Sequence, residues 1–301
     1  MIHNGIIQNT ITELTHNHAA KYPYIPLHRQ HIPSLPLINE IVASIKEVIF
    51  PGYSGVSAIE ENALILHTGE HIYKVFNLLK HQILQTLLFE QRLNEANAEI
   101  RDKADEISCA FLERLPHIKA MLSTDVKAMF NSDPAAKSYS EVIFSYPSIS
   151  ALLNYRIAHE LSLLNVPILP RIITELAHST TGIDIHPGAT IGSYFSIDHG
   201  TGVVIGQTTI IGNHVTLYQG VTLGAKSFTV DDEGHPQDVP RHPIIEDHVT
   251  IYSNSSILGR ITIGHDTIIG GNIWLTHSVP PYSRILQTKA VMLNFTDGAG
   301  I

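Results

Sequence analysis

Four short segments of the sequence carry ionisable side chains suited to proton transfer or to binding a small charged substrate. They are Asp184-Ile-His-Pro, Asp198-His-Gly-Thr-Gly, Arg241-His-Pro and Ser132-Asp-Pro-Ala. A histidine with an ordinary pKa near 6.5 can take a proton at neutral pH, and a neighbouring carboxylate fixes its tautomer and favours the imidazolium form. Asp184 lies 15 residues before His199, a spacing that permits a contact without requiring it. An isolated histidine is more often a plain surface residue than a catalytic one. The position of these residues in the fold therefore determines whether a catalytic role is favoured.

Other catalytic motifs are missing from the sequence. Gly200-Thr-Gly202 is superficially like part of a dinucleotide loop, but the residues around it do not form a strand-to-helix turn. Nucleophile patterns such as Gly-x-Ser-x-Gly and Ser-x-x-Lys are not found. We therefore expect direct transfer of a group to a bound acceptor.

The elements that must position these residues follow a period of six. This period fits neither a helix nor simple strand alternation, and it predicts a left-handed parallel β-helix in which each hexad forms one face of a triangular prism. Three hexads make one coil, so thirteen hexads predict about four coils stacked roughly 4.8 Å apart. The inward aliphatic residues are Ile185, Ile191, Ile197, Ile205, Ile211, Leu217, Leu223, Ile245, Ile251, Ile257, Ile263, Ile269 and Leu275.

The hexad register is interrupted twice, and both interruptions carry ionisable residues. The step from Leu223 to Ile245 is 22 positions, which is not a multiple of six. Residues 225–243 must therefore leave the prism as a protruding loop that ends in the Arg-His segment. A second break, with a step of eight residues, surrounds Asp198-His199. These two places are where we expect chemistry.

Composition limits the class of protein. A chain of 301 residues with 44% hydrophobic and 16% charged residues suits a soluble protein with two structural units. The net charge of −9, with no Lys/Arg cluster, argues against nucleic-acid binding. We find no apolar run long enough for a membrane span and no signal peptide. The single cysteine, Cys109, predicts a reducing cytoplasm and is expected to be a buried side chain on a helix.

Before residue 182 the apolar spacing is that of packed helices, so the predicted fold class is α+β with two domains. We predict a loosely ordered arm over residues 1–35 and an α-helical domain over 36–181. The β-helix catalytic domain follows over 182–281, and a C-terminal tail over 282–301. The predicted helices are 37–50, 59–78, 81–115, 117–131, 147–165 and 168–180.

Several segments together resemble a known family. They are Asn154–His159, Asp184–Gly192, Ile197–Gly206, Gln219–Gly224 and Arg241–Pro243. They resemble the serine O-acetyltransferases, which acetylate L-serine from acetyl-CoA in cysteine biosynthesis. The combination of Asp-His-Gly-Thr-Gly with Arg-His-Pro is specific to that family, and the resemblance covers residues 121–281.

The resemblance implies a proton relay in which the substrate is the nucleophile. His199 is similar to the general base that deprotonates the serine hydroxyl, and Asp184 to its orienting carboxylate. His242 matches a second active-site histidine, which would polarise the acetyl or substrate oxygen.

The resemblance also implies a clamp for an α-amino acid. Asp133 and Asp198 match positions that hold the serine ammonium group, and Arg241 matches one that holds its carboxylate. Charges of opposite sign on opposite sides of the site are what such a substrate requires. L-cysteine would compete for this clamp as an inhibitor.

For acetyl-CoA, the resemblance implies a position along a prism edge between subunits of a homotrimer or a dimer of trimers. Ala225, Ser253 and Gly271 are the candidate contacts, although the corner itself would explain these small residues equally well. Ala225 replaces a usual glycine, and the family's stretch after the last coil is missing. We expect no metal, because residues 186–277 contain no two histidines five apart, the ligand spacing of the β-helical carbonic anhydrases.

The last residues, ending in Ile301, resemble the tail by which these enzymes enter the active site of cysteine synthase, although an uninformative end is as compatible with the sequence. Two other functions stay open. One is a hexapeptide acyltransferase for another acceptor, such as homoserine, phosphoserine or a sugar. The other is a non-catalytic trimeric scaffold that regulates cysteine synthase.

Overall fold

A computed structural model describes residues 2–15, 31–53, 61–227, 230–235 and 237–288. In this part of the chain, seven α-helices precede a set of short parallel strands. None of the described helices is long and apolar enough to cross a membrane. The helices are α1 (Ile2–Thr15), α2 (Leu35–Ile49), α3 (Leu64–Glu90), α4 (Ala98–Ser132), α5 (Tyr139–Ser145), α6 (Pro147–Leu163) and α7 (Leu169–Thr181), with a 3-10 turn at Glu61–Ala63.

The strands stack into three parallel sheets, one for each face of the prism. Sheet A has the order β1-β4-β7-β10-β13, sheet B the order β2-β5-β8-β11 and sheet C the order β3-β6-β9-β12-β14. The strands are β1 (Asp184–Ile185), β2 (Thr190–Ile191), β3 (Ser196–Asp198), β4 (Val204–Ile205), β5 (Ile210–Ile211), β6 (Thr216–Tyr218), β7 (Thr222–Gly224), β8 (Ile244–Ile245), β9 (Thr250–Ile251), β10 (Ser256–Leu258), β11 (Thr262–Ile263), β12 (Ile268–Ile269), β13 (Trp274–Leu275) and β14 (Arg284–Ile285).

The inward residues stack on one another from coil to coil. In sheet A, Ile185 pairs with Ile205, and Ile205 pairs with Leu223. The inward aliphatic side chains are at most 5% exposed, so burying each of them contributes roughly 1.5–3 kcal/mol. The predicted fold class, a helical domain followed by a β-helix, is confirmed.

The helical domain differs from the sequence prediction at three junctions. The predicted break between the helices over 59–78 and 81–115 does not occur, because α3 runs through it without interruption. The predicted helix over 81–115 is interrupted, because the chain turns after α3 and restarts where the Asn97 side chain accepts a hydrogen bond from the Ile100 N–H. The predicted end at Pro116 does not occur, and α4 runs through it. Proline removes one helical hydrogen bond, but buried neighbours on both sides, Leu115 and Ile118, hold the helix against the core. Cys109 is exposed on this helix, so the expectation that it is buried is wrong.

The ends of the chain also differ from the predicted boundaries. The arm predicted as loosely ordered over residues 1–35 contains α1 in its first half. At the other end, Ile269 pairs with Ile285, so β14 extends the β-helix into residues predicted as tail. The sequence pattern does not predict the short helix α5, because seven residues give too little periodicity. Residues 289–301, including Ile301, lie outside the described part of the chain.

A buried ion pair fixes the helical domain on the first coil. The Arg156 guanidinium of α6 donates to both Asp125 carboxylate oxygens of α4, at 2.6 and 2.9 Å. The same guanidinium donates to the carbonyl oxygens of Ile191 and Gly192, at 3.4 and 2.9 Å. Asp125 in turn accepts from the Phe195 N–H at 3.1 Å. This junction carries the C-terminal end of α4 to the side of β3, where half of the candidate site lies.

Candidate active site

Asp133 follows the last residue of α4 and is held as a carboxylate by two donors. The Tyr146 hydroxyl donates to one of its oxygens, and the Ala135 N–H donates to the other at 2.8 Å. The Tyr146 hydrogen bond is the main cause that lowers the pKa of Asp133, and His199 is a minor one. The same bond raises the pKa of Tyr146 to about 12. An ionised acid at this point can bind a substrate cation.

His199 follows β3 in the left-handed backbone region, with φ of 56°, and is followed by Gly200 at φ of 86°. Its side chain is 73% exposed, and Nδ1 lies 3.9 Å from an Asp198 carboxylate oxygen. A non-glycine residue in this region is uncommon and indicates a tightly specified turn. The turn presents the imidazole to solvent on the same side as Asp133.

Tyr218 belongs to this group, although the sequence analysis does not single it out. It pairs directly with Asp198 in sheet C and stacks on Tyr252 with ring centroids 4.8 Å apart. Burial raises its pKa, and Tyr252, Asp198 and Asp133 add to the effect. The sequence could have indicated Tyr218 by its position in the hexad, because Tyr218 directly follows an inward residue, as Asp198 does. Tyr146 had no sequence signal, because only the fold brings it to Asp133.

The predicted contact between Asp184 and His199 is not formed in the described part of the chain. Asp184 instead forms a group with Glu175 and His178, whose ligand atoms lie within 4.8 Å of one another. The backbone segments that carry Asp184 and His199 are nevertheless adjacent in space. A Cβ on Gly200 would lie 2.5 Å from the Ile183 side chain. The carboxylate that the exposed ring of His199 approaches is that of Asp198, at 3.9 Å.

Arg241 and His242 precede β8 and are anchored by Thr208. The Thr208 hydroxyl accepts from both backbone N–H groups, at 2.9 and 3.1 Å. Nδ1 of His242 accepts from the Thr208 N–H at 3.1 Å and lies 2.9 Å from the Thr208 hydroxyl. Because a neutral imidazole carries one proton, an accepting Nδ1 leaves the proton on Nε2. The Arg241 guanidinium donates to Gln207 at 2.7 Å.

His242 is buried, with 7% of its surface exposed, and is neutral at ordinary pH. Burial is the main cause that lowers its pKa to about 4, and Arg241 and Arg260 add to the effect. Burial likewise lowers the pKa of His186 to about 4, with Arg171 and then His242 as further causes. A neutral histidine with the proton on Nε2 is a hydrogen-bond donor and a poor base at neutral pH, so His242 is suited to polarising an oxygen.

Within one chain, these residues form two separate groups. His199 lies at the corner where the chain passes from sheet C to sheet A, and the same corner carries Ser253 and Gly271. Arg241-His242 and Ala225 lie at the corner from sheet A to sheet B. The predicted catalytic, clamp and acetyl-CoA residues are thus divided between two edges of one prism.

A β-helix of hexads with a histidine and carboxylates at one edge, and an arginine and a histidine at another, defines a hexapeptide-repeat acyltransferase. Comparisons with known proteins give the particular family. A serine acetyltransferase of Synechococcus elongatus is 46% identical over 275 residues, covering 90% of this chain and 86% of that protein. No family model matches. The chain belongs to the serine acetyltransferase family.

Solved structures agree with this assignment. The serine acetyltransferase 1 of Entamoeba histolytica in complex with L-cysteine has a TM-score of 0.71 and 31% identity, covering 93% of this chain and 99% of that one. A serine acetyltransferase in complex with CoA has a TM-score of 0.53 and 26% identity, covering 83% and 96%.

Proposed function

We propose that this serine acetyltransferase transfers acetyl from acetyl-CoA directly to the hydroxyl of L-serine. His199 takes the hydroxyl proton as the serine oxygen attacks the thioester carbonyl. The C–S bond then breaks, and the thiolate of CoA leaves with the proton that His199 returns. The products are O-acetyl-L-serine and CoA, which places the reaction in cysteine biosynthesis. Asp184 would orient the imidazole once the exposed ring turns towards it.

The recognition of serine would rest on charges at two sides. Asp133 and Asp198 would hold the ammonium group, and the low pKa of Asp133 supports this because the acid stays ionised. Arg241 would hold the carboxylate, and its guanidinium would have to exchange the Gln207 contact for the substrate. A bidentate arginine–carboxylate pair is the stronger interaction, which favours this exchange.

The observation that carries the proposal is the state of His242. Its Nδ1 accepts hydrogen bonds from Thr208, so its Nε2–H is available as a donor. A fixed donor near the carbonyl would stabilise the negative charge on oxygen in the tetrahedral intermediate. The two histidines therefore have different roles, His199 as the base and His242 as the donor.

We propose further that the enzyme is a homotrimer, alone or paired as a dimer of trimers. The division of the site between two prism edges supports this, because a neighbouring copy can bring its arginine edge to the histidine edge of the first. Acetyl-CoA would lie in the cleft between the copies, close to Ala225 of one and to Ser253 and Gly271 of the other. The CoA complex of a related enzyme supports the co-substrate.

Two further partners follow from the family. L-cysteine would inhibit by occupying the serine clamp, and the L-cysteine complex of a relative supports this. Cysteine synthase would bind the tail that ends in Ile301, in the reducing cytoplasm that the single cysteine favours. Deleting Ile301 should abolish cysteine synthase binding without loss of acetylation, and unchanged binding would remove the tail from the proposal.

The first experiment is release of free thiol from acetyl-CoA by the purified protein. We expect release with L-serine to exceed that with L-homoserine, O-phosphoserine or glucosamine at the same concentration. A preference for another acceptor would contradict the serine clamp. Absence of release with any acceptor would favour a non-catalytic scaffold.

A mixing experiment tests the shared site. His199→Ala and His242→Ala chains should each be nearly inactive alone. Unfolding and refolding them together at equal concentrations should restore about a quarter of the wild-type activity, because random pairing gives that fraction of sites with both histidines intact. If each site formed within one chain, the mixture would stay as inactive as its parts.

A further inference from the structure

A cluster of metal-ligating side chains lies in the helical domain, away from the candidate active site. Glu47 is on α2, and His67 and His71 are on α3. Their ligand atoms all lie within 4.8 Å of one another. Nε2 of His67 is 3.8 Å from a Glu47 carboxylate oxygen, and the two imidazole centroids are 4.5 Å apart.

The positions follow from helix geometry. Residues four apart lie on one face of a helix, so His67 and His71 project together towards α2. Paired histidines at this spacing are a common way of presenting two nitrogen ligands to a metal. Glu47 adds a carboxylate from the neighbouring helix.

The cluster leaves polar atoms unsatisfied. Oε2 of Glu47, Nδ1 of His67 and Nδ1 of His71 are buried and lack a hydrogen-bond partner in the described part of the chain. Buried polar groups are nearly always paired, so three such atoms in one place require an explanation. A cation in the cluster would pair the Glu47 carboxylate with one nitrogen of each imidazole.

We propose that Glu47, His67 and His71 bind a divalent transition metal, with zinc as the best fit. Two histidines and one carboxylate form a common zinc ligand set, which leaves a fourth position for water. Ligand atoms around tetrahedral zinc are roughly 3.3 Å apart, so small side-chain rotations would close the cluster. The ion would link α2 to α3. This site lies in the helical domain, outside residues 186–277 whose histidine spacing argued against zinc, and it departs from the expectation of a metal-free protein.

The test is zinc binding by the full-length protein after treatment with EDTA. Wild type and three variants are dialysed against buffered Zn²⁺, a fourth comparison sample is dialysed without it, and bound metal per chain is measured by elemental analysis. His71→Ala and Glu47→Gln remove ligands, whereas His117→Ala removes an exposed histidine of α4. The fourth sample is wild type dialysed without zinc.

We expect wild type and His117→Ala to bind one more zinc per chain than the two ligand variants, whose affinity at this site should fall at least 10- to 100-fold. Zinc should raise the midpoint of thermal unfolding only where the site is intact. Glu47→Gln keeps the size of the side chain, so it decides the result if His71→Ala does not fold by circular dichroism. Equal zinc content and equal thermal response in all folded variants would overturn the proposal and leave a histidine–carboxylate pair without metal.

Discussion

The position of His242 can be tested without changing His242, through the glycine on which its ring lies. Gly206 follows the inward Ile205, and its φ is outside the positive region, so alanine fits the backbone. An added Cβ would lie 2.0 Å from Cδ2 and 2.2 Å from Nε2 of His242. Non-bonded carbons approach to about 3.5–4.0 Å. In Gly206→Ala the imidazole must therefore move by about 1.5–2 Å.

A movement of this size should remove most of the contribution of His242 to catalysis. A misplacement of about 1 Å can cost on the order of 10²-fold in rate. We expect kcat/KM for L-serine to fall roughly 100-fold in Gly206→Ala, which corresponds to about 2.7 kcal/mol of transition-state stabilisation. The fold should persist, because the Ile205 side chain keeps its place in the core.

The assay is steady-state thiol release, with circular dichroism to check folding. Gly270→Ala is the matched control, because Gly270 follows the inward Ile269 and an added Cβ there would come no closer than 3.1 Å to another atom. That variant should keep near wild-type activity. Gly206→Ala combined with His242→Ala should be no slower than His242→Ala alone, since both changes remove one interaction. Full activity in Gly206→Ala, or losses that multiply in the double variant, would refute this role.

Three further predictions follow from the described contacts. Asp125→Ala leaves the buried Arg156 guanidinium without its carboxylate, so the free energy of unfolding measured with urea should fall by about 3–5 kcal/mol. A fall of less than about 1 kcal/mol would contradict the importance of the pair. Tyr146→Phe removes the main cause that lowers the pKa of Asp133; KM for L-serine should rise about 10-fold with little change in kcat, whereas a lower kcat at constant KM would argue against the ammonium role. Folding lowers the pKa of His242 from 6.5 to about 4. As the pH falls, the unfolded chain therefore protonates at this histidine before the folded chain does. The contribution of His242 to stability is complete above pH 6.5 and is lost as the pH falls towards 4. The free energy of unfolding should therefore fall less over this window in His242→Gln than in wild type, and equal falls would show that His242 does not titrate in this way.

The β-helix could be predicted from the sequence because its register is local. Each inward residue repeats at a fixed interval, and the pairs Ile185–Ile205 and Ile251–Ile269 lie where the hexads predict them. The protruding loop was predictable for the same reason, since β7 ends at Gly224 and β8 begins at Ile244.

Features that depend on contacts between distant elements were not predictable. The Tyr146–Asp133 hydrogen bond requires the angle between α4 and α6, which no local pattern encodes. The continuation of α4 through Pro116 likewise depends on burial of its neighbours.

The contacts of the helical domain with the first coil have a consequence for assembly. The strands β1, β2 and β3 begin the three sheets, so each has an edge that no other strand of the described residues covers. Arg156 donates to the carbonyl oxygens of Ile191 and Gly192, and the Tyr155 hydroxyl donates to that of Ala189 at 2.7 Å. Side chains of the helices thus form hydrogen bonds with backbone carbonyl oxygens of the first coil to which another strand could otherwise bind. The helical domain acts as a terminal cap, and a fragment that begins at residue 182 should present open sheet edges and associate end to end into fibres.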